Sequence, residues 1–399
     1  MRRRTLTWTL GCSVFIGVFL LAGARAQETT PAGVGKPDQD GVTIRVAAIS
    51  FVPTKFDLPG NADRLEQAFR QAKQGNAQLA VAPEGALEGY VVNEIIAGSA
   101  PAAKMNEVAI PVDHPVIRRF QKLAAELEMC LAFGFAERME GDVFNCAIFI
   151  DHHGRICGKY HKMQLAEGYD PAWWFNRLGS ESRAFDTPYG RCGILICNDR
   201  WNPALARIPV LDGAQYLLIP SFGSRSKSQD EAVLKRASEN GVPVVEANVG
   251  VTLVIDRGEI TAVDRRDEGI TFGQITIPSR VEADAEQRDR VEREFLEQRG
   301  QEMRQRLEST LKRLKRNAVP ESGRESREVD PQKHRVGGDP VGNGLRAVPE
   351  SSYACHSNRN ATAGVPYRRL TPTLTAAAHC CPARSRCGPP LCRQSRQSA

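Results

Sequence analysis

The stretch GILICNDRWNP, Gly193 to Pro203, decides how this chain is read. An apolar run stops at a cysteine, three polar residues follow, and Trp201 and Pro203 interrupt any continuation. A cysteine inside a core is ordinarily a small hydrophobe. At the mouth of a strand, beside Asn198, Asp199 and Arg200, a thiol has another use. As a thiolate it is a nucleophile, provided that a base, an electropositive setting and oxyanion donors lie near. A tight turn from the strand into ALARIPVLDGA would offer the backbone N–H of Asn198 as one such donor.

Outward from this stretch, strand-like and helix-like segments alternate. VTIRVAAIS, AQLAVAP, CLAFGFAER, GRCGILIC, QYLLIP, VPVVEANV, VTLVIDRGEI and ITFGQITIP are rich in β-branched and apolar residues and read as strands. NADRLEQAFRQAKQG, with Asn61 as its expected cap, and HPVIRRFQKLAAELEM, with Pro115 in its first turn, read as helices. KSQDEAVLKRASENG reads as another, stopped by Gly241. The central VFNCAIFIDHHGRICGKYHKM makes a hairpin about His153-Gly154, so the fold expected is layered α/β with mixed sheets.

The flanks differ from this core. MRRRTLTWTLGCSVFIGVFLLAGARAQ places three arginines before an apolar run that ends in Ala24-Arg25-Ala26, the pattern of a cleaved secretory signal over residues 1–26. The expectation is export to the periplasm or medium without a permanent membrane span, a retained anchor being the rival reading. Residues 27–41 read as a linker, 42–280 as the globular domain, 281–316 as a charged helix with Met303, Leu307, Leu311 and Leu314 on one stripe, and 317–399 as a disordered basic tail. The net charge of +6 is uneven. Beyond Pro331 the basic residues outnumber Asp339 and Glu350, and the remainder is slightly acidic. That excludes a basic surface for nucleic acid on the globular part. Cys130, Cys146, Cys157 and Cys192 sit mostly in apolar runs and read as buried free thiols. His379, Cys380, Cys381, Cys387 and Cys392 match no zinc spacing, so no metal is expected.

Two further stretches supply partners for Cys197. In VAPEGALEGY, Glu84 follows an apolar strand; taken alone it reads either as an exposed turn residue or, where the strand end desolvates it, as a carboxylate suited to a general base. In GKYHKMQLAEGYDP, Lys162 ends a strand; taken alone it reads either as a surface lysine or as an ammonium able to hold a developing oxyanion and favour a thiolate. Glu167 is placed to steady that lysine. His161 is the rival base, but adjacent residues on a strand face opposite sides, so His161 and Lys162 cannot easily serve one site.

Glu84 in PEG…GY, Lys162 in GKYHK and Cys197 in GILICND, in this order, resemble the carbon–nitrogen hydrolases of the nitrilase superfamily. NCAIFIDHHGRICGKYHKMQL is similar to that family's asparagine-containing strand, glycine turn and lysine strand, and LKRASENGVPVVEANVG to its later helix and strand. The resemblance implies a four-layer α-β-β-α sandwich and hydrolysis of a non-peptide C–N bond through a Cys thioester, with neither metal nor organic cofactor. It carries Glu84 as general base, Lys162 as oxyanion stabiliser, Cys197 as nucleophile and Glu167 as an additional structural glutamate. CNDR resembles the N-carbamoyl-D-amino acid amidohydrolase branch, in which arginines hold a substrate carboxylate. Here Arg200 matches the first, Trp201 stands where a second would be, and NPA replaces the usual Pro-Glu. Asn198 and Arg200 are thus the expected substrate-binding residues, with Asp199 bracing the turn. The substrate expected is a small linear amide or ureido compound, handled by a homo-oligomer. The alternatives are a nitrilase and a catalytically silent scaffold for an acidic partner.

Overall fold

The structure, a computed structural model, describes residues 41–318. The expected signal segment, nearly all of the linker and the tail beyond residue 318 lie outside the described residues. In chain order the strands are β1 (Val42–Ser50), β2 (Leu79–Val81), β3 (Cys130–Met139), β4 (Asp142–Ile150), β5 (Ile156–His161) and β6 (Phe185–Thr187). They continue as β7 (Gly190–Ile194), β8 (Tyr216–Ser221), β9 (Val244–Asn248), β10 (Val251–Asp256), β11 (Glu259–Asp264) and β12 (Gly269–Ile277). The α-helices are α1 (Leu58–Gln74), α2 (Val92–Ile96), α3 (Met105–Val108), α4 (Pro115–Leu127), α5 (Pro203–Leu211), α6 (Lys227–Asn240) and α7 (Ala285–Ala318).

Two six-stranded sheets form, in the orders β12-β1-β2-β3-β4-β5 and β11-β10-β9-β8-β7-β6. Each has a parallel centre, β1-β2-β3 in one and β7-β8-β9 in the other, with antiparallel strands outside. β1 shows why the sheets are covered on both faces. Ile44, Val46 and Ala48 join the core shared with the second sheet, while Ala47 and Ile49 pack beneath the helices. A strand buried on both sides reads as a near-continuous apolar run. Phe69 of α1, Phe120 of α4 and Phe133 of β3 meet with ring centroids 4.9–6.1 Å apart. Each such ring is worth about 1.5–3 kcal/mol on burial. α5 and α6 cover the second sheet through Leu205, Ile208, Val233 and Ala237. The layers are therefore α-β-β-α, as expected.

Several local readings change. The cap of α1 is Asp57, whose Oδ1 accepts from Gly60 N at 3.0 Å; Asn61 lies one turn inside and is fully buried. Its amide instead ties the preceding loop at Thr54 to the Leu87 carbonyl of the segment beyond β2. β6, α2 and α3 escaped the sequence reading because each is three to five residues long and carries no period. α7 begins at Ala285 rather than residue 281. Its anchor differs as well. Phe295 and Met303 are buried, whereas Leu311, expected on the apolar stripe, is 40% exposed. Val291 and Leu296 add to the seam against the core that contains α5. Among the described residues Cys130, Cys146, Cys157, Cys192 and Cys197 are all free, and no helix is long and apolar enough to cross a membrane.

Candidate active site

The parallel strands of both sheets deliver polar residues just past their carboxyl ends. Glu84 follows β2, Cys197 follows β7, and Ser221 ends β8. The two sheets touch at this point: the Glu84 N–H donates to the Ser221 carbonyl at 3.3 Å. β5 ends at His161 and delivers Lys162, whose own N–H donates to the Asn145 carbonyl of β4 at 2.8 Å.

Glu84 and Lys162 are both fully buried. Glu84 Oε1 accepts from Lys162 Nζ and from Asn145 Nδ2, each at 2.7 Å. Glu84 Oε2 is buried with no hydrogen-bond partner among the described residues. That leaves one carboxylate oxygen of a desolvated group uncommitted, the geometry a general base needs. Burial alone would lower the Lys162 pKa, but the charges of Glu84, Cys197, Glu167 and Asp199 overcome it and raise it, so the side chain stays an ammonium.

Cys197 sits at φ +48°, in the left-handed region that a non-glycine residue seldom occupies. The strain turns the chain sharply out of the strand into a short 3₁₀ turn, Cys197–Trp201. Asp199 braces that turn. Its Oδ2 accepts from Ile196 N and Tyr160 Oη, both at 2.9 Å, and its Oδ1 from Gln164 N at 3.0 Å. Burial pushes the Asp199 carboxyl up to about 6. The Cys197 thiol is raised by burial and then by Glu84; Arg200 and Lys162 pull it back.

Arg200 departs from the sequence expectation. It is 1% exposed and does not face an open pocket. Its Nε donates to the Cys197 carbonyl at 2.7 Å, Nη1 pairs with Glu246, and Nη2 donates to Cys197 Sγ at 3.1 Å. The reason is a buried carboxylate in β9: a guanidinium with a charged partner inside the protein stays there, because opening the pair would strand Glu246. Asn198 is also turned inward. Its side chain donates to the Gln164 carbonyl at 3.2 Å and accepts from Arg306 of α7 at 3.4 Å.

Glu167 makes no direct bond to Lys162. Its Oε2 accepts from Tyr90 Oη at 2.9 Å, and Asn176 donates to Oε1. Its influence on Lys162 is through charge alone. His161 points away, to Glu137 Oε2 at 2.5 Å, as strand alternation requires. With Cys146 these two bring three possible metal ligands within 4.8 Å of one another. The Lys159 ammonium already holds Glu137 Oε1 at 2.7 Å, which opposes a cation there.

A small cavity of about 20 Å³ lies against Asn145 and Tyr90 and is further lined by Glu88, Phe144, Phe175 and Asn176. Tyr90 stacks on Phe222 at 5.1 Å, and Lys162 Nζ lies 5.7 Å from the Tyr90 ring centre. Tyr90, Asn176, Phe222, Gln229 and Glu246 were not singled out from the sequence. Only Glu246 left a signal there, a charge inside the apolar run VPVVEANV.

Fold and site together define a C–N hydrolase of the α-β-β-α type. The family model described as Carbon-nitrogen hydrolase matches residues 45–282, more than half of the chain, and the chain belongs to that family. The N-carbamoylputrescine amidase of Oryza sativa subsp. japonica is 32% identical over 217 residues, covering 54% of this chain and 69% of the relative. The citrullinase of Francisella tularensis subsp. tularensis is 28% identical over 233 residues, covering 55% and 78%. Among solved structures, an amidase from Nesterenkonia sp. superposes with a TM-score of 0.52 at 20% identity, over 65% of this chain and 99% of its own. At that identity the likeness speaks for the fold.

Proposed function

We propose that the protein hydrolyses the C–N bond of a small linear amide or N-carbamoyl compound through a thioester on Cys197. The observation that carries this reading is the buried Glu84–Lys162 pair, with Glu84 Oε2 uncommitted, electrostatically coupled to a cysteine held at φ +48°. Glu84 takes the Sγ proton as sulfur attacks the carbonyl carbon. Lys162 Nζ and the Asn198 N–H stabilise the oxyanion. Collapse expels the amine after Glu84 returns the proton to nitrogen, leaving the acyl thioester. Water, deprotonated by Glu84, then attacks the thioester, and the thiol leaves with that proton. An amide yields an acid; an N-carbamoyl compound yields ammonia and a carbamate, which loses carbon dioxide to leave an amine.

The names of the N-carbamoylputrescine amidase and citrullinase relatives favour a carbamoyl group. Ammonia release across amides, ureido compounds and nitriles tests the class. Turnover of nitriles alone would replace this reading with a nitrilase. The Cys197→Ala protein should release no ammonia from any of them while keeping its Tm, and retained activity would remove Cys197 as nucleophile. We further infer export, on the basic and apolar pattern ending at Ala24-Arg25-Ala26.

A further inference from the structure

Arg200 is the second cation beside the thiol, and the mechanism above does not use it. All three nitrogen positions of its guanidinium are committed: Nε to the Cys197 carbonyl, Nη1 to Glu246 and Nη2 to Cys197 Sγ. The planar fork thus holds both ends of one residue, the backbone that turns at φ +48° and the sulfur that this turn projects. Its own carbonyl accepts from Arg236 Nη1 of α6 at 3.3 Å. Glu246 is held from two sides, by Ser221 Oγ at 2.8 Å and Gln229 Nε2 at 3.1 Å. Every member of this set is buried. A network so closed does not admit a substrate carboxylate, which would have to displace Glu246 or the sulfur.

We propose that Arg200 is a further catalytic residue, which holds Cys197 Sγ as the thiolate through Nη2 and is itself positioned by Glu246. The proposal rests on reading Cys197 as the nucleophile. When Glu84 removes the Sγ proton, the new negative charge forms 3.1 Å from a guanidinium N–H already in place, so no group needs to move. The charged and titratable groups acting on the sulfur are Glu84 and Tyr90 beyond β2, Lys162 beyond β5 and Arg200 on its own turn, with Glu246 of β9 behind Arg200. Lys162 remains free to meet the oxyanion, because the thiolate has its own cation. A corollary concerns specificity: a substrate carboxylate is not recognised at Arg200, so neutral and cationic amides or ureido compounds are turned over at least as well as acidic ones.

The test is the pH dependence of Cys197 alkylation by iodoacetamide in the full-length protein, read by peptide mass so that the other thiols are counted separately. Loss of an opposite charge at hydrogen-bond distance moves a thiol upward by about one pH unit or more. Arg200→Gln should therefore shift the alkylation midpoint upward by about that amount and lower kcat at least tenfold with little change in KM. Arg200→Lys should recover part of both. Removing Arg200 alone leaves Glu246 buried without its cation, so R200Q/E246Q is the companion variant, in which no charge is orphaned; it should show the same upward shift. An unshifted midpoint in R200Q/E246Q overturns the proposal. So does a rise in KM confined to carboxylate-bearing substrates, which would return Arg200 to substrate binding. Failure of the underlying reading looks different: bound substrate would then not protect wild-type Cys197 from alkylation.

Discussion

Gly134 of β3 lies so close to Glu84 that a β-carbon on it would stand 2.7 Å from the Glu84 Cα, and about as near to the backbone of Pro83 and Gly85. The contact is reinforced on both sides. The Gly134 N–H donates to the Pro83 carbonyl at 3.0 Å, and its carbonyl accepts from Ala86 N at 2.9 Å. Backbone cannot yield as a flexible side chain does. Gly134→Ala should therefore push Glu84 off Lys162 and lower kcat at least a hundredfold, with an overpacking cost of about 1–3 kcal/mol in stability. Steady-state kinetics beside thermal unfolding checks this. Unchanged kcat would mean that the Glu84 turn tolerates displacement.

Asn145 is expected to matter through Glu84 as well. It donates to the same Oε1 that Lys162 holds, which keeps that oxygen occupied and Oε2 available. Asn145→Ala should reduce kcat about ten- to a hundredfold and leave Cys197 alkylation intact, because the thiol keeps its own neighbours. Equal loss of alkylation would place Asn145 among the supports of the thiol.

Helix α7 straps the loop that carries Glu167. Tyr169 N donates to the Met303 carbonyl at 3.2 Å, and a β-carbon on Gly168, whose φ is +84°, would stand 2.1 Å from Leu307 N. Gly168→Ala should lift the helix and speed hydrogen exchange through residues 303–310, with activity falling as the Glu167 loop loosens. Gly98→Ala is the control, since Gly98 has φ +75° and nothing within 4 Å of such a carbon. It should show the strain cost of about 1 kcal/mol without loss of activity.

Glu88 accepts from Ala136 N at 3.0 Å, and burial pushes its carboxyl up to about 7 from an ordinary 4.5. The folded state then binds the proton more tightly than the unfolded state. The stabilising contribution is fully present below pH 4.5 and is lost as pH rises through about 7. Glu88→Gln should remove that slope, up to about 1.4 kcal/mol per pH unit between these values. Denaturant unfolding of both proteins from pH 4 to 8 decides it. Parallel curves would mean that Glu88 holds one charge state throughout.

If the inferred export is correct, N-terminal sequencing of protein from its host should find a start near Gln27. A soluble cytoplasmic form beginning at Met1 would rule export out.

The sequence by itself determined the class of fold, and it proposed the three residues around which the candidate site is read. Local pattern carries that information. β1 shows its burial on both faces as an unbroken apolar run, Pro115 and Gly241 punctuate α4 and α6, and Glu84, Lys162 and Cys197 each stand where a strand ends. Alternation along β5 also separated His161 from Lys162 without coordinates. What only the tertiary structure decided is the partner of each charge. Arg200 and Glu246 are 46 residues apart, Tyr90 and Glu167 are 77 apart, and Glu84 and Lys162 are 78 apart. Nothing in either local stretch says that Arg200 is claimed by β9 before a substrate can reach it. A guanidinium is stable beside a carboxylate and equally stable in water. Packing of the two sheets takes that alternative away, and so turns a residue read as substrate-facing into one that faces the sulfur.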